Sequence, residues 1–420
     1  MNSQPRKSFS LQHVRMTSIY KLLVFLILIV PDDFFTIFAV YTNKSPGFIS
    51  YRWLNYSFNV VLLVVLLLGL VLSIIHNEKR LWGWIVLALI RELLFLVLGM
   101  NSCFSDHSYE IYLTLLTGIS LTLICKYISD DVDDLNSFFW ISVICNVITV
   151  YLAVIMRAGY ANRYNAINMD VGSTGTICAL TIMYCLLNEN IRNRVLIAIV
   201  ALIALFLSGS RVNLLLTVLM LVAGFIIRGI QHRKFERNVV LGFACLSILG
   251  FIALVYFDAT SQVLASNTNL SINRMLASFS FDGMGADSSV LGRTTSIGVG
   301  IDIIRHNLFG ISGYFTNLQT ETVQRGFPTF PHSSLIDYYI FLGPLLLLLI
   351  FRILRTLKRL WKIDFSQFMI LLYMFTFITI SGGPIVNFKI VYFYSMIILI
   401  SSRMSLSRTG NSDSAVGVDG

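Results

Sequence analysis

The sequence has few charged residues, and this shortage excludes most soluble folds. Only 13% of its 420 residues are Asp, Glu, Lys or Arg, whereas 56% are hydrophobic and the mean hydropathy is +0.76. Soluble globular domains carry about 25% charged residues. The composition therefore predicts a membrane protein.

Cysteine is also scarce, and its placement excludes a disulfide framework and a thiolate metal site. Five of the six cysteines lie in or beside apolar runs, no CxxC spacing occurs, and only Cys103 falls in a predicted outer loop. The first apolar segment lacks a small-residue cleavage site, so we expect it to act as its own insertion signal. Neither a metal nor a cofactor is expected.

Long polar segments are rare, and apolar runs long enough to span a bilayer fill most of the chain. We count twelve such runs. They lie near 19–40, 54–75, 81–100, 109–126, 136–156, 172–187, 195–209, 212–227, 239–257, 333–351, 366–380 and 385–401. A polar interruption at 31–33 leaves the first run open to a helix followed by a re-entrant piece. A tilted or broken pair is the alternative for the seventh and eighth.

The predicted fold class is therefore all-α, a polytopic membrane protein with about 12 transmembrane helices and one long outward-facing loop that contains short helices. Residues 1–257 would hold the first nine helices, and residues 258–332 the long loop. Residues 333–401 would hold the last three helices, and 402–420 a disordered tail.

Lys and Arg are unevenly distributed across the predicted membrane. With the N-terminus inside, twenty fall on the inner side and nine on the outer side, while Arg91 and Lys389 fall within runs. This asymmetry predicts that both termini are cytoplasmic and that the long loop is extracytoplasmic. The net charge of +9 mostly reflects this topology, so it does not indicate nucleic-acid binding.

The outer loops lack lysine after Arg52, since every later outer cation is an arginine. The planar guanidinium can bind phosphate through two parallel hydrogen bonds, whereas lysine suffices to set topology. The pattern therefore predicts an anionic substrate. The alternative is that these arginines are solvated or pair with loop carboxylates. Those carboxylates are Asp282, Asp287, Asp302 and Glu321.

The first outer site is the loop of residues 157–175, which precedes the sixth run. It carries Arg157, Arg163 and Asp170 and ends in glycines that open a helix. Exposed amides at a helix N-terminus favour an anion, and the arginines would add positive charge. An ordinary polar turn is the alternative.

The second outer site is Ser208-Gly209-Ser210-Arg211, between two apolar runs. Arg211 has little loop around it, so it must snorkel to the interface or find a partner. The small residues beside it would let a ligand approach the backbone. We therefore interpret Arg211 as a headgroup contact, with simple snorkelling as the alternative.

The third outer site begins late in the long loop. Asp287 is typical of a helix start, and Arg293 falls in the first two turns of that helix. The segment ends at Arg305, His306 and Asn307. Its apolar residues recur at helical spacing, which predicts an amphipathic helix on the membrane surface.

A polar cluster at residues 330–339 closes the long loop and leads into the tenth run. His332 there could accept a proton or bind a phosphate, and Asp337 follows about one turn later. A capping or surface histidine is the alternative.

Taken in order, these segments resemble the bacterial O-antigen polymerase and O-antigen ligase superfamily. The resemblance covers about residues 163–350 and implies a GT-C-like membrane glycosyltransferase. Such an enzyme acts without a metal on polyprenyl-pyrophosphate-linked oligosaccharides at the outer face of the bacterial inner membrane. The matching motifs are the Arg163 loop, Ser-Gly-Ser-Arg211, Asp287-Ser-Ser-x3-Arg293, His306-Asn-Leu-Phe-Gly-Ile-Ser and Pro331-His332-Ser-x-Leu-Ile-Asp337.

Under this resemblance the site residues take separate roles. Arg211 and Arg293 would stabilise charge on the leaving pyrophosphate. His332 would accept the proton of the incoming hydroxyl, with Asp170 or Asp337 as alternatives, and a single displacement implies inversion. The residues expected to bind pyrophosphate or glycan are Arg157, Arg163, Asp170, Arg274, Arg305, His306, Asn307 and Asp337.

Three activities compete. A polymerase would join lipid-linked repeat units for lipopolysaccharide or capsule, whereas a ligase would transfer the finished chain to lipid A-core or another acceptor, and we predict the polymerase. A transporter is the rival from another class, because Arg91, Glu92 and Lys389 are ionisable residues within predicted spans. We expect Arg91 and Glu92 to pair with other helices instead. The expected partners are the undecaprenyl-pyrophosphate-linked oligosaccharide, the lipid bilayer, a chain-length regulator and a flippase.

Overall fold

The structure, a computed structural model, describes ten stretches of the chain. They are residues 11–30, 48–100, 109–129, 131–155, 171–188, 191–232, 288–311, 314–326, 333–380 and 387–415. These residues form fourteen α-helices and no strand, which confirms the all-α prediction. In chain order the helices are α1 (Leu11–Ile29), α2 (Phe48–Ile75), α3 (Lys79–Val97), α4 (Tyr109–Ile128), α5 (Val132–Ile155), α6 (Val171–Leu187), α7 (Arg194–Leu207), α8 (Arg211–His232), α9 (Ser288–His306), α10 (Tyr314–Gln324), α11 (Ser334–Leu342), α12 (Leu345–Ile363), α13 (Phe365–Ile380) and α14 (Phe388–Ala415).

The predicted apolar runs correspond to helices wherever the structure describes them, with differences at some ends. α1 begins eight residues before its predicted start at residue 19, and residues 31–40 of that run lie outside the described residues. The ninth run, near 239–257, also lies outside them. α14 continues to Ala415, although the sequence predicts a disordered tail from residue 402. Extending a formed helix costs far less than nucleating one, so polar residues can continue it.

The tenth predicted run, 333–351, is divided into two helices. α11 ends at Leu342 and α12 begins at Leu345. Gly343 between them has a φ of +59°, which favours glycine, and Pro344 has no N–H to continue the hydrogen-bond ladder. The prediction of one continuous helix here is therefore wrong.

Three stretches of the described helices are long and apolar enough to cross a membrane. They are Ser57–Ile75, Tyr109–Ile128 and Val132–Ile155. Shorter apolar stretches are Ser18–Ile29, Gly172–Leu187, Arg194–Leu207, Val212–Ile227 and Phe365–Ile380. The described part of the chain is therefore helical with candidate membrane spans, while the count of twelve and the GT-C-like architecture stay predictions.

The outer faces of α2 and α3 are broadly apolar. Val60, Leu67 and Ile74 of α2 and Leu89 and Leu96 of α3 are 52–73% exposed. A soluble protein rarely exposes so large an apolar surface, whereas acyl chains would cover it without penalty.

The main core is built around α6. Every residue of α6 from Ser173 to Cys185 is buried, so this stretch has no face left for lipid. It packs against α5, α7, α8, α13 and α14. The first turn of α6 is therefore fixed by neighbouring helices.

A second and smaller core, called here the small cluster, lies where α4 meets α9, α10, α11 and α12. Its buried residues are Ile111, Ile303, Ile311, Leu318, Ile340, Phe341, Leu342 and Leu346. It joins the described end of the predicted long loop to the transmembrane helices.

Candidate functional site

The N-terminal turns of α6 and α8 lie against each other. Gly175 is one turn into α6, and an added Cβ there would lie 2.5 Å from Ser210 Oγ and 2.6 Å from Asn213 Nδ2. Only glycine permits this approach. The structure thus brings the glycine end of the first outer site next to the second.

A buried polar network holds the two turns together. Asn213 Nδ2 donates to Ser210 Oγ at 2.8 Å and to Gly172 O at 3.3 Å, and Asn213 Oδ1 accepts from the Tyr373 hydroxyl of α13 at 2.5 Å. Thr217 Oγ1 donates to Asn213 O at 2.6 Å. Because Asn213 and Tyr373 are fully buried, loss of either side chain would leave a polar group unsatisfied.

The amino-acid sequence alone does not identify Asn213 or Tyr373 as site residues. The available signal is the amide of Asn213 at the start of an apolar run, since a buried amide requires a hydrogen-bonding partner. Tyr373 gives no comparable signal, because tyrosine is ordinary in an apolar helix. Its partner becomes visible only in the folded chain.

The corner between α7 and α8 positions the backbone of Arg211. Gly209 has a φ of +64°, and Ser208 Oγ donates to a carbonyl of the last turn of α7 at 2.7 Å. Leu214 N donates to Ser210 O at 3.0 Å, so α8 begins at Arg211. Arg211 therefore opens α8 beside the N-terminus of α6, while its side chain lies outside the described residues.

Helix dipoles make this corner electropositive. The N-terminal amides of α6 and α8 form the positive ends of their helices. Neither first turn contains Asp or Glu. The N-termini of α6 and α8 and the backbone of Arg211 thus lie together at this corner.

α11 opens at a buried pair of serines. Ser333 Oγ donates to Thr379 O, near the end of α13, at 3.0 Å, and Asp337 N donates to Ser333 O at 3.0 Å. Ser333, Ser334 and Asp337 are at most 3% exposed. The predicted base, His332, directly precedes this start and lies outside the described residues.

α13 connects these two parts of the site. Tyr373 contacts the start of α8, and Thr379 contacts the residue before α11. The two residues are six positions apart, which corresponds to about 9 Å of helix. The N-termini of α6, α8 and α11 thus lie at one end of the bundle, the end for which the charge pattern predicts an outer location.

α9 begins at Ser288, as its sequence predicts, and Arg293 lies in its second turn. At the other end, Arg305 and His306 are exposed, and His306 Nδ1 lies 2.9 Å from Asp302 O. Arg293 and Arg305 are separated by about 18 Å along the helix, so they would contact different parts of a ligand.

Asn307 and Arg325 act locally. Asn307 Nδ2 donates to Ile303 O at 3.1 Å, which closes α9. Arg325 Nε donates to Asp302 Oδ2 at 2.8 Å, and Nη1 donates to the Glu321 carboxylate, so the guanidinium joins α9 to α10. The hydrogen bond from Arg325 lowers the pKa of Asp302, and the same bond raises the pKa of Arg325. For Arg325, the alternative of pairing with loop carboxylates is confirmed.

Several other predicted site residues, or their side chains, are not among the residues that the structure describes. Outside the described residues lie Arg157, Arg163, Asp170, Arg274 and His332, together with the side chains of Arg211 and Arg293. Their roles stay predictions. Within the described part of the chain, no group of three His, Cys, Asp or Glu residues is arranged to hold a metal ion.

The ionisable residues within predicted spans contact other helices. Arg91 Nη1 pairs with Glu92 at 2.6 Å, and Arg91 Nε donates to Phe341 O of α11 at 3.1 Å. Lys389 Nζ donates to Val30 O, just after α1, at 2.6 Å. Arg91 and Lys389 are fully buried. For Arg91 the predicted contact with another helix is confirmed, whereas its ion pair with Glu92 lies within α3. This contact favours a structural role for Arg91 over a role in transport.

Residues 196–351 match the family model described as O-antigen ligase. The match begins in α7 and ends in α12, so it includes Arg211, Arg293 and His332. No curated protein matches the chain. The match confirms, over residues 196–351, the resemblance that the motifs predict.

Proposed function

We propose that the protein is a polymerase of polysaccharide repeat units. It transfers glycan from undecaprenyl pyrophosphate onto the non-reducing end of another lipid-linked repeat unit. The observation that carries this proposal is the meeting of the α6 and α8 N-termini at the backbone of Arg211. Positive helix ends and a guanidinium are suited to binding a pyrophosphate.

The proposed reaction is one direct displacement. A hydroxyl oxygen of the acceptor sugar attacks the anomeric carbon of the donor, and the bond from that carbon to the pyrophosphate oxygen breaks. The lipid pyrophosphate leaves with the electron pair, and the anomeric configuration is inverted. The acceptor proton passes to His332. Of the two alternatives, Asp337 is buried within the first turn of α11, and Asp170 directly precedes α6.

Charge on the leaving pyrophosphate is balanced by arginine from two segments. Arg211 opens α8 and Arg293 lies on α9, and both would donate to phosphate oxygens. The remaining outer cations, Arg157, Arg163, Arg274 and Arg305, would bind the rest of the ligand. Since fixed guanidinium groups supply the charge, we expect activity to persist in EDTA. Loss of activity in EDTA that magnesium or manganese restores would contradict this.

A ligase is the second candidate, and the description of the matching family as O-antigen ligase favours it. The chemistry at the pyrophosphate would be identical, and only the acceptor would differ. A flippase would deliver the lipid-linked substrate in either case. A chain-length regulator would be needed only where this protein polymerises.

The glycan of a deletion strain distinguishes these functions. We expect long chains to be lost while single repeat units remain attached to the acceptor, which identifies a polymerase. Accumulation of long lipid-linked chains would identify a ligase instead. Unchanged glycan with altered solute uptake would reject both.

The proposed location of the site is the outer face of the bacterial inner membrane, with both termini cytoplasmic. This orientation follows from the charge count, in which twenty Lys and Arg fall on the predicted inner side and nine on the predicted outer side. In a Cys103→Ser background, Ser288→Cys should react with an impermeant thiol reagent added outside. Gln231→Cys should react only after lysis. Labelling of Gln231→Cys alone in intact cells would reverse the orientation.

A further inference from the structure

We propose that Arg91 of α3 is a positioning residue for glycosyl transfer, because it fixes the C-terminal end of α11. The inference rests on the proposed function. Arg91 lies outside the family match at residues 196–351, and its closest described contacts are with α11 and its own helix.

α11 has only nine residues, so its last carbonyls need donors from elsewhere. Each of the three backbone carbonyls that directly precede Leu342 receives a hydrogen bond from a different donor. Gly343 N donates to Tyr339 O at 2.7 Å, Ile311 N to Ile340 O at 2.9 Å, and Arg91 Nε to Phe341 O at 3.1 Å. Gly343 directly follows α11 and Ile311 belongs to the long loop, whereas Arg91 belongs to α3.

The guanidinium of Arg91 is held rigidly. Its Cζ lies 3.7 Å from the centroid of the Phe95 ring and 4.6 Å from that of Phe341, and the side chain is fully buried. A positive charge at a helix C-terminus is favourable. Nη2, however, forms no hydrogen bond with any described residue, and burying such a donor costs stability.

The segment before α10 leaves α11 no room to shift. Gly310 has a φ of +95°, and an added Cβ would lie 2.6 Å from Ile340 O and 3.3 Å from Phe95 Cζ. An added Cβ on Gly343 would overlap Phe309 O. Two segments that carry predicted motifs, 306–311 and 333–343, are thus packed backbone to backbone against each other, and the Phe95 ring of α3 contacts this junction.

A change at the end of α11 is transmitted to its start. Nine helical residues form a rod of about 13 Å, which is too short to bend appreciably. Ser333, held by Thr379, lies at the other end of this rod, and His332 directly precedes Ser333 in the sequence. Arg91 therefore sets the position of the proposed base without contacting the substrate.

The test compares Arg91→Met and Arg91→Lys with Lys389→Met in the purified full-length enzyme. Lys389 is a matched control, since it is also fully buried and also donates to a backbone carbonyl, 2.6 Å from Val30 O. The measurements are kcat and KM with lipid-linked repeat units, the thermal midpoint, and hydrogen exchange of residues 333–343.

We expect Arg91→Met to lower kcat about tenfold or more, leave KM within about twofold and speed exchange in residues 333–343. Arg91→Lys should recover only part of kcat, because lysine keeps the charge but loses the planar stacking. Lys389→Met should lower the thermal midpoint and leave kcat within about twofold. An equal loss of kcat in Lys389→Met would overturn the inference, as would unchanged kcat in Arg91→Met.

Phe95→Leu covers the case in which Arg91→Met does not fold. It removes one stacking ring and keeps the charge, so we expect a twofold to fivefold loss of kcat, and unchanged kcat would overturn the inference. Arg211→Ala in the same assay separates the two proposals. Full activity of Arg211→Ala contradicts the proposed function, whereas an inactive Arg211→Ala beside a fully active Arg91→Met contradicts only the inference.

Discussion

The main core and the small cluster hold their helices in different ways. In the main core, α6 is buried on every side from Ser173 to Cys185, and its first turn is fixed by the fully buried Asn213 and Tyr373. In the small cluster, α9 and α10 are joined by an ion pair in which the side chain of Asp302 is 45% exposed. The main core therefore encloses its central helix on every side, whereas the small cluster leaves the α9–α10 ion pair partly exposed.

This difference separates the two arginines proposed to bind pyrophosphate. Arg211 is carried by the main core, whereas Arg293 is carried by α9 of the small cluster. Changes near Arg211 should therefore affect stability and activity together. Changes near Arg293 should affect activity with little effect on stability.

The largest expected effect is loss of either arginine itself. Arg211→Ala and Arg293→Ala should each lower the rate about ten- to a hundredfold, because a charge-assisted hydrogen bond contributes roughly 1.5–3 kcal/mol and each ~1.4 kcal/mol is a factor of ten. Arg→Lys should rescue only partly. His332→Ala should lower kcat and largely retain KM. The measurement is glycan length in cells and turnover of the purified protein.

The control for these variants is Arg325→Ala. Arg325 binds Asp302 and Glu321 and lies outside the matching motifs, so we expect only a mild change in activity. If Arg211→Ala, Arg293→Ala and His332→Ala all insert normally and still produce wild-type glycan, the proposed site is wrong.

A smaller effect is expected from the polar network of the main core. Asn213→Ala leaves the buried Tyr373 hydroxyl without its acceptor, at a cost of about 1–3 kcal/mol. Asn307→Ala in the small cluster removes only a bond within its own helix end, so it should cost less. Thermal or denaturant unfolding of both variants measures the difference. Equal destabilisation would show that the main core and the small cluster do not differ as described.

The smallest effect is the pH dependence of the α9–α10 contact. The hydrogen bond from Arg325 lowers the folded pKa of Asp302 below its ordinary value of about 3.9. The stabilising contribution is therefore present above about pH 4 and is lost as the pH falls through the lowered folded pKa. Hydrogen exchange of residues 314–326 should rise slightly over that range in the wild type and be pH-independent in Asp302→Asn after correction for intrinsic exchange. An equal rise in both would exclude Asp302 as its cause.

The sequence predicts the helices well because apolar periodicity is a local property. The division between α11 and α12 also had a local signal, the Gly343–Pro344 pair, which a count of apolar residues overlooks. By contrast, Asn213 and Tyr373 are 160 residues apart, and Arg91 and Phe341 are 250 apart. No periodicity links such residues.

The candidate site was predictable to a similar degree. Motif order predicts a ligand-binding role for Arg211 beside a glycine turn, and this role stays a prediction. The structure adds that Gly175 of the earlier loop faces Ser210. The role of Arg325 as an ion-pair residue needed the relative position of α9 and α10. Chain order therefore indicates which segments take part, whereas long-range packing decides which side chains meet.

The contact between Lys389 and Val30 has a consequence for biogenesis. The two residues are 359 positions apart, on the last helix and just after the first. During synthesis the ammonium group of Lys389 finds this carbonyl only when almost the whole chain has been made. We expect α14 to enter the bundle late, beside an α1 that is already in place. Lys389→Met should allow α14 to integrate into the membrane without α1. Protease protection of stalled chains measures this integration. Equal integration of α14 in the wild type and in Lys389→Met would show that the contact plays no part.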